Sequence, residues 1–125
     1  MPRTILVIDD EQDMRELSTF ALELDGQTTV VTASSGADGV RLARELQPTA
    51  ILLDWMMPDM DGEATLAALK TNPLVATIPV IVLSGAVHHQ TAESFRRLGA
   101  HGVVPKPYNP VMLGEEIRAI LGDAR

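Results

Sequence analysis

Apolar and polar positions along the chain follow two rhythms. Short continuous runs, "TILVI" at 4–8, "AILL" at 50–53, "IPVIVL" at 78–83 and "GVV" at 102–104, carry mostly branched side chains with no polar gap. Such runs suit strands buried on both faces, as in a parallel sheet. "TTVVTA" at 28–33 is more polar and reads as an edge strand. The segments between them have helical spacing. Leu17, Phe20, Ala21 and Leu24 fall at i, i+3, i+4 and i+7, and Leu113, Ile117, Ile120 and Leu121 nearly so.

Punctuation along the chain agrees with this division. Ser35 followed by Asp38 resembles a capping box. Asn109 before Pro110 offers a cap residue with proline at the first helical position. Gly26, Gly99 and Gly122 stand where helices should end. Strand and helix alternate five times. The predicted class is therefore α/β: a flavodoxin-like, doubly wound, five-stranded parallel sheet in the order 2-1-3-4-5, with five helices and right-handed crossovers. Pro105 removes a backbone donor near the end of the fifth strand, which this order puts at a sheet edge, where proline is tolerated.

In such a sheet, ligands bind beyond the C-terminal strand ends, where the winding reverses between the first and third strands. The first strand runs into Asp9-Asp10-Glu11 and the third into Asp54. Taken singly, these acids have plain readings. Acids suit the first turn of a helix, and an aspartate suits a loop after a strand. Brought into one crevice, they would repel and push one another toward protonation. A bound divalent cation would relieve that, and Mg2+ suits a site of one or two carboxylates and several waters. The fourth strand ends in Ser84-Gly85, and Lys106 follows the fifth on the same rim. Each alone reads as a solvated loop residue. Together with the acids they supply a hydroxyl donor and a compact positive charge. Pro107 confines Lys106 to extended geometry, and the Lys106–Pro107 bond is a candidate for a cis peptide. The set is a kit for phosphoryl transfer, with Asp54 as the best nucleophile.

Bulk properties narrow the picture. With 125 residues, 46% of them apolar, the chain can build one core. It has no cysteine, which excludes disulfides, thiolate metal sites and a cysteine nucleophile. Acids outnumber bases 17 to 10, for a net charge of −7, which argues against direct nucleic-acid binding. No apolar run approaches the roughly 18 residues of a membrane span. No membrane partner is expected, and a cytoplasmic location is.

"ILVIDDE", "ILLDWMMPDMDG", "VIVLSG" and "GVVPKP" appear in order and at suitable separations. Together they resemble the receiver domain of bacterial two-component response regulators. The likeness covers residues 1–125, implying a single receiver domain with no output domain in view. It implies that Asp54 accepts a phosphoryl group from a histidine kinase or histidine phosphotransfer protein. Asp10 and Asp54 would ligate Mg2+ directly, Asp9 mostly through water, and the main-chain carbonyl of Met56 would be a further ligand. Ser84 and Lys106 would contact the phosphoryl group. The switched surface would be helix 4, strand 5 and helix 5, recognised by a downstream effector protein or a separate output domain. Helix 1 would dock the kinase, and a phosphorylation-dependent dimer through helices 4 and 5 is admissible. Any catalysis would be limited to the domain's own phosphorylation and dephosphorylation.

Some positions depart from the family pattern. Val103 stands where the family often has an aromatic ring that turns inward on activation. Met56 and Ala86, each two residues beyond a site residue, have no polar side chain to position water, so an aspartyl phosphate is expected to be long-lived. His88 and His89 read as an exposed loop, His101 as solvent-facing, and Met57 and Met60 as packing residues. Trp55 is a candidate neighbour of the acidic pocket. Three other functions compete. A phosphoaspartate hydrolase of the D-x-D type would need an acid at Met56. A flavin carrier would need an anion cradle after the first strand, where three acids stand instead. A receiver-like interaction module that is never phosphorylated is favoured only by Val103.

Overall fold

The computed structural model describes residues 3–57, 61–85 and 92–122. Five strands, β1 (Arg3–Ile8), β2 (Thr28–Ala33), β3 (Ala50–Asp54), β4 (Val80–Gly85) and β5 (Gly102–Lys106), alternate with α1 (Gln12–Glu23), α2 (Gly36–Leu46), α3 (Gly62–Thr71), α4 (Ala92–Arg97) and α5 (Pro110–Leu121). All strand pairs are parallel, in the order β2-β1-β3-β4-β5. The predicted class and strand order are those of the molecule. No helix among the described residues is long and apolar enough to cross a membrane.

The continuous apolar runs arise because both sheet faces are covered. Along β1, Leu6 and Ile8 enter one core with Ile51, Leu53, Val80, Val82, Leu66, Leu69 and Phe95. Ile5 and Val7 enter the other, with Leu52, Ile81, Leu83, Ala21, Leu22, Leu113 and Ile117. Side chains alternate across a strand, so a strand facing two cores has no polar position to spare.

Boundaries move by a few residues from expectation. β3 includes Asp54, β4 starts at Val80 and runs to Gly85, and β5 reaches Lys106. Asp54 and Ser84 end their strands as expected, and the extension of β5 puts Lys106 on strand backbone as well. Ser35 caps α2 by accepting from the Asp38 N–H, and Asn109 caps α5 by accepting from that of Val111. Gly26, Gly99 and Gly122 all take positive φ, as helix-ending glycines do. Asp61 caps α3 by accepting from the Ala64 N–H at 2.9 Å. Gly62, which follows it, donates to the carbonyl of Trp55 at 3.0 Å. A Cβ there would lie 2.6 Å from the Trp55 Cα, so only glycine lets α3 begin this close to β3.

The expected apolar stripe of α1 is a correction. Phe20 and Leu24 are 62% and 53% exposed. The buried positions are Ser18, Ala21 and Leu22, with Met14 and Leu17 packed beside them. α1 is wedged between β2 and α5, and small side chains on its buried face allow that approach. A count of apolar spacing cannot see this, because it ranks phenylalanine above serine. On α5, Leu113 and Ile117 are buried, and Ile120 and Leu121 pack at the margin, as expected.

Candidate functional site

β1 and β3 lie side by side, with Ile8 opposite Leu53, so the residues that follow each leave the sheet together. Asp9 is tied to β2 through its N–H, which donates to Ala33 O at 3.1 Å. Asp54 closes β3, and the N–H of Trp55 donates to Leu83 O on β4. One carboxylate oxygen from each of Asp9, Asp10 and Asp54 falls within 4.8 Å of the others. Asp9 and Asp54 are buried, and Asp10 is half-buried.

Lys106 ends β5 and reaches into this cluster. Its Nζ donates to Asp54 Oδ1 at 3.0 Å and lies 3.6 Å from Asp9 Oδ2. The 106–107 peptide is cis. The hydroxyl of Ser84, the next-to-last residue of β4, donates to the carbonyl of Gly85 at 3.3 Å. The strand ends thus bring the five expected side chains, Asp9, Asp10, Asp54, Ser84 and Lys106, to one rim of the sheet. The fourth expected metal ligand, the carbonyl of Met56, follows directly. The Met56 N–H points to Asp54 Oδ1 at 3.4 Å, while its side chain is exposed.

Electrostatics mark the cluster as under tension. Burial pushes the Asp9 carboxyl above the ordinary aspartate range, against the Glu11 N–H and the charge of Lys106. Burial likewise raises Asp54, with repulsion from Asp9 adding to it and the Lys106 hydrogen bond opposing it. Burial alone would lower the Lys106 ammonium. The hydrogen bond to Asp54 and the charges of Asp9 and Asp54 outweigh it and hold the group above its usual value. Asp9 Oδ1 accepts from the Glu11 N–H, but Asp9 Oδ2 is buried without a hydrogen-bond partner. A buried carboxylate oxygen with no donor is costly. A small hard cation would satisfy it, and the donor set, carboxylates with a nearby carbonyl, fits Mg2+.

Two supporting contacts were not foreseen. Arg15 donates from its guanidinium to the main-chain carbonyl of Asp9 at 2.9 Å. The hydroxyls of Ser18 and Tyr108 lie 2.7 Å apart, both residues buried. The only cue in the sequence was position: Arg15 lies one turn into the helix after the acids, and Tyr108 follows Lys106-Pro107. Trp55 is adjacent to Asp54 by backbone, but its ring lies in the core, edge-on to Phe95 at 4.8 Å and 88°. Val103 is half-buried against the same core. Met57 is buried packing and His101 is exposed, as expected. Met60, Ala86, His88 and His89 lie outside the described residues.

Comparison with known proteins bears on the family and the fold. The family model for the response regulator receiver domain matches residues 5–118. The Escherichia coli phosphate regulon transcriptional regulatory protein PhoB is 33% identical over 121 residues, 97% of this chain and 52% of that protein. The polar-differentiation response regulator DivK of Brucella anthropi is 29% identical over 124 residues, 99% of this chain and all of that protein. The chain therefore spans about half the length of PhoB and the whole of DivK. Among solved structures, the Vibrio cholerae chemotaxis protein CheY4 superposes with a TM-score of 0.86 at 23% identity, covering 96% of this chain and 99% of that one. That likeness bears on the fold alone.

Proposed function

The chain belongs to the response regulator receiver domain family, and on that premise we propose that it is the phosphoacceptor of a two-component relay, with Asp54 as the residue modified. One observation carries the reading. Lys106 is hydrogen-bonded to Asp54 at 3.0 Å and lies 3.6 Å from a buried Asp9 oxygen that has no hydrogen-bond donor. The aspartate is thus fixed in place at the rim of a rigid strand, among carboxylates whose donor set fits a small hard cation.

In the proposed reaction a carboxylate oxygen of Asp54 attacks the phosphorus of a phosphohistidine on a histidine kinase or phosphotransfer protein. The O–P bond forms as the P–N bond breaks, and the imidazole leaves with the electron pair and takes up a proton. Asp9, Asp10, Asp54 and the Met56 carbonyl would hold Mg2+. When bound, the ion offsets the negative charge on the transferred group. Lys106 releases Asp54 Oδ1 and re-pairs with a phosphoryl oxygen, keeping a charge-assisted bond throughout. The Ser84 hydroxyl, which meets its neighbour's carbonyl in the structure, turns to donate to the same group.

The consequence is a change in the surface formed by α4, β5 and α5. It would be read by a downstream effector protein or a separate output domain, with dimerisation through α4 and α5 as one form of output. With Val103 lacking a ring, the Ser84 hydroxyl and α4 carry the switch. The module acts by contact in the cytoplasm, without binding nucleic acid or membrane directly, and is not an enzyme beyond its own phosphorylation and dephosphorylation. Met56 provides no acid for a D-x-D hydrolase, which weighs against that reading.

Incubation with acetyl phosphate and Mg2+ followed by intact mass measurement tests the proposal. The expected result is a gain of one phosphoryl group, absent in Asp54→Asn and in the presence of a chelator. The half-life of that gain tests the expected longevity. No gain in the wild-type chain would defeat the phosphoacceptor reading and leave the interaction module.

A further inference from the structure

Lys106 is the last residue of an edge strand that has only β4 beside it. Pro105 and Pro107 flank it, and neither has an N–H to donate. The corner that carries the ammonium therefore has few backbone anchors. Tyr108 supplies one. Its ring is buried in the core under α1 and α5, and its hydroxyl meets that of Ser18, which is completely buried in α1. Ser18 lies three residues after Arg15, so the two are neighbours on one side of the helix. Arg15 holds the carbonyl of Asp9. One helix thus grips both walls of the site: the acid wall on β1 through Arg15, and the lysine wall on β5 through Ser18 and Tyr108.

We propose that Ser18 and Tyr108 are positioning residues for Lys106. Their buried hydroxyl pair fixes the β5–α5 corner, and so lets α1 set where the ammonium sits relative to Asp54. This rests on the reading of Asp54 as phosphoacceptor only for its consequence in rate; the positional claim can be measured without it. A bond used only for packing would contribute stability and nothing else. A positioning bond also changes the site when its energetic cost is removed.

Tyr108→Phe deletes the hydroxyl and keeps the ring, but leaves the Ser18 hydroxyl unpaired in the core. The double variant Ser18→Ala/Tyr108→Phe leaves no unpaired hydroxyl. At saturating Mg2+, Tyr108→Phe should slow phosphorylation by acetyl phosphate about three- to tenfold, the range of one hydrogen bond. Mg2+ affinity should stay within about twofold, since the acids are separately held. The double variant should regain melting temperature but not rate. Recovery of rate together with melting temperature would overturn the proposal, as would a wild-type rate in Tyr108→Phe. The second readout is the 15N resonance of the Lys106 ammonium in the unphosphorylated chain. It should shift in both variants, and an unchanged resonance would also overturn the tether. If the wild-type chain takes up no phosphoryl group, the functional reading falls by itself and the resonance alone decides this one.

Discussion

The two rims of the sheet treat charge in opposite ways. At the N-terminal rim, Asp25 accepts hydrogen bonds from the N–H groups of Gln27 and Thr28 and from the Thr28 hydroxyl, and pairs with Arg118 at 3.7 Å. Partial burial would raise its carboxyl, but these bonds outweigh it and hold the group below the ordinary range. Elsewhere on that rim, the Lys70 ammonium donates to the carbonyls of Ala76 and Ile78. At the C-terminal rim, Asp9 and Asp54 crowd together, both pushed upward, and one oxygen of Asp9 goes without a donor. The first rim uses charge to close loops. The second holds charge in excess of its partners, which is the condition for binding a cation rather than for folding.

That contrast can be broken experimentally. The largest effect should come from Mg2+, which is expected to stabilise the rim where carboxylates outnumber their donors. At a hundredfold excess over its dissociation constant, the folded state should gain about 2.7 kcal/mol by mass action. Thermal melts with Mg2+ and with chelator should differ accordingly, and the difference should vanish in Asp9→Asn. An unchanged melting temperature on adding Mg2+ would mean that the cluster does not bind it.

Next in size is the opposite rim. Asp25→Ala removes an acceptor used three times and should cost about 2 kcal/mol near neutrality, read by urea unfolding. Because the folded carboxyl is held low, its stabilisation is present above the unfolded aspartate value of about 3.9. It is lost as pH falls through the lower folded value. The penalty of the variant should therefore shrink in acid. A penalty that grew on acidification would contradict the sign.

The smallest effect has the opposite sign. Asp9→Asn should raise stability in the absence of Mg2+ by about 1 kcal/mol near neutrality. With its carboxyl raised in the folded state, ionisation of Asp9 opposes folding, so stability falls as pH rises from the unfolded value through the folded one. The gain should be complete above the folded value and disappear below about 3.9. A destabilised Asp9→Asn at neutral pH would show that its bonds to Glu11 and its attraction to Lys106 outweigh burial.

Legibility differed between elements for physical reasons. β1, β3 and β4 were plain because strands covered on both faces must be apolar at every position. The stripe of α1 was misplaced because the helix buries Ser18 and Ala21 against α5 and leaves Phe20 outside. The site acids were readable because strand order puts β1 beside β3. Ser18–Tyr108 was not, since 90 residues separate the partners and nothing near either one announces the other.

Sequence alone determined the alternation of strand and helix, the sheet order and the residue types delivered to one rim, because periodicity and strand ends are local properties that topology then gathers. Tertiary structure decided which face α1 turns inward, which carboxylate oxygen is left without a donor, and what holds Lys106 in place. Those outcomes depend on distances between segments remote in the chain, and no local pattern encodes a distance.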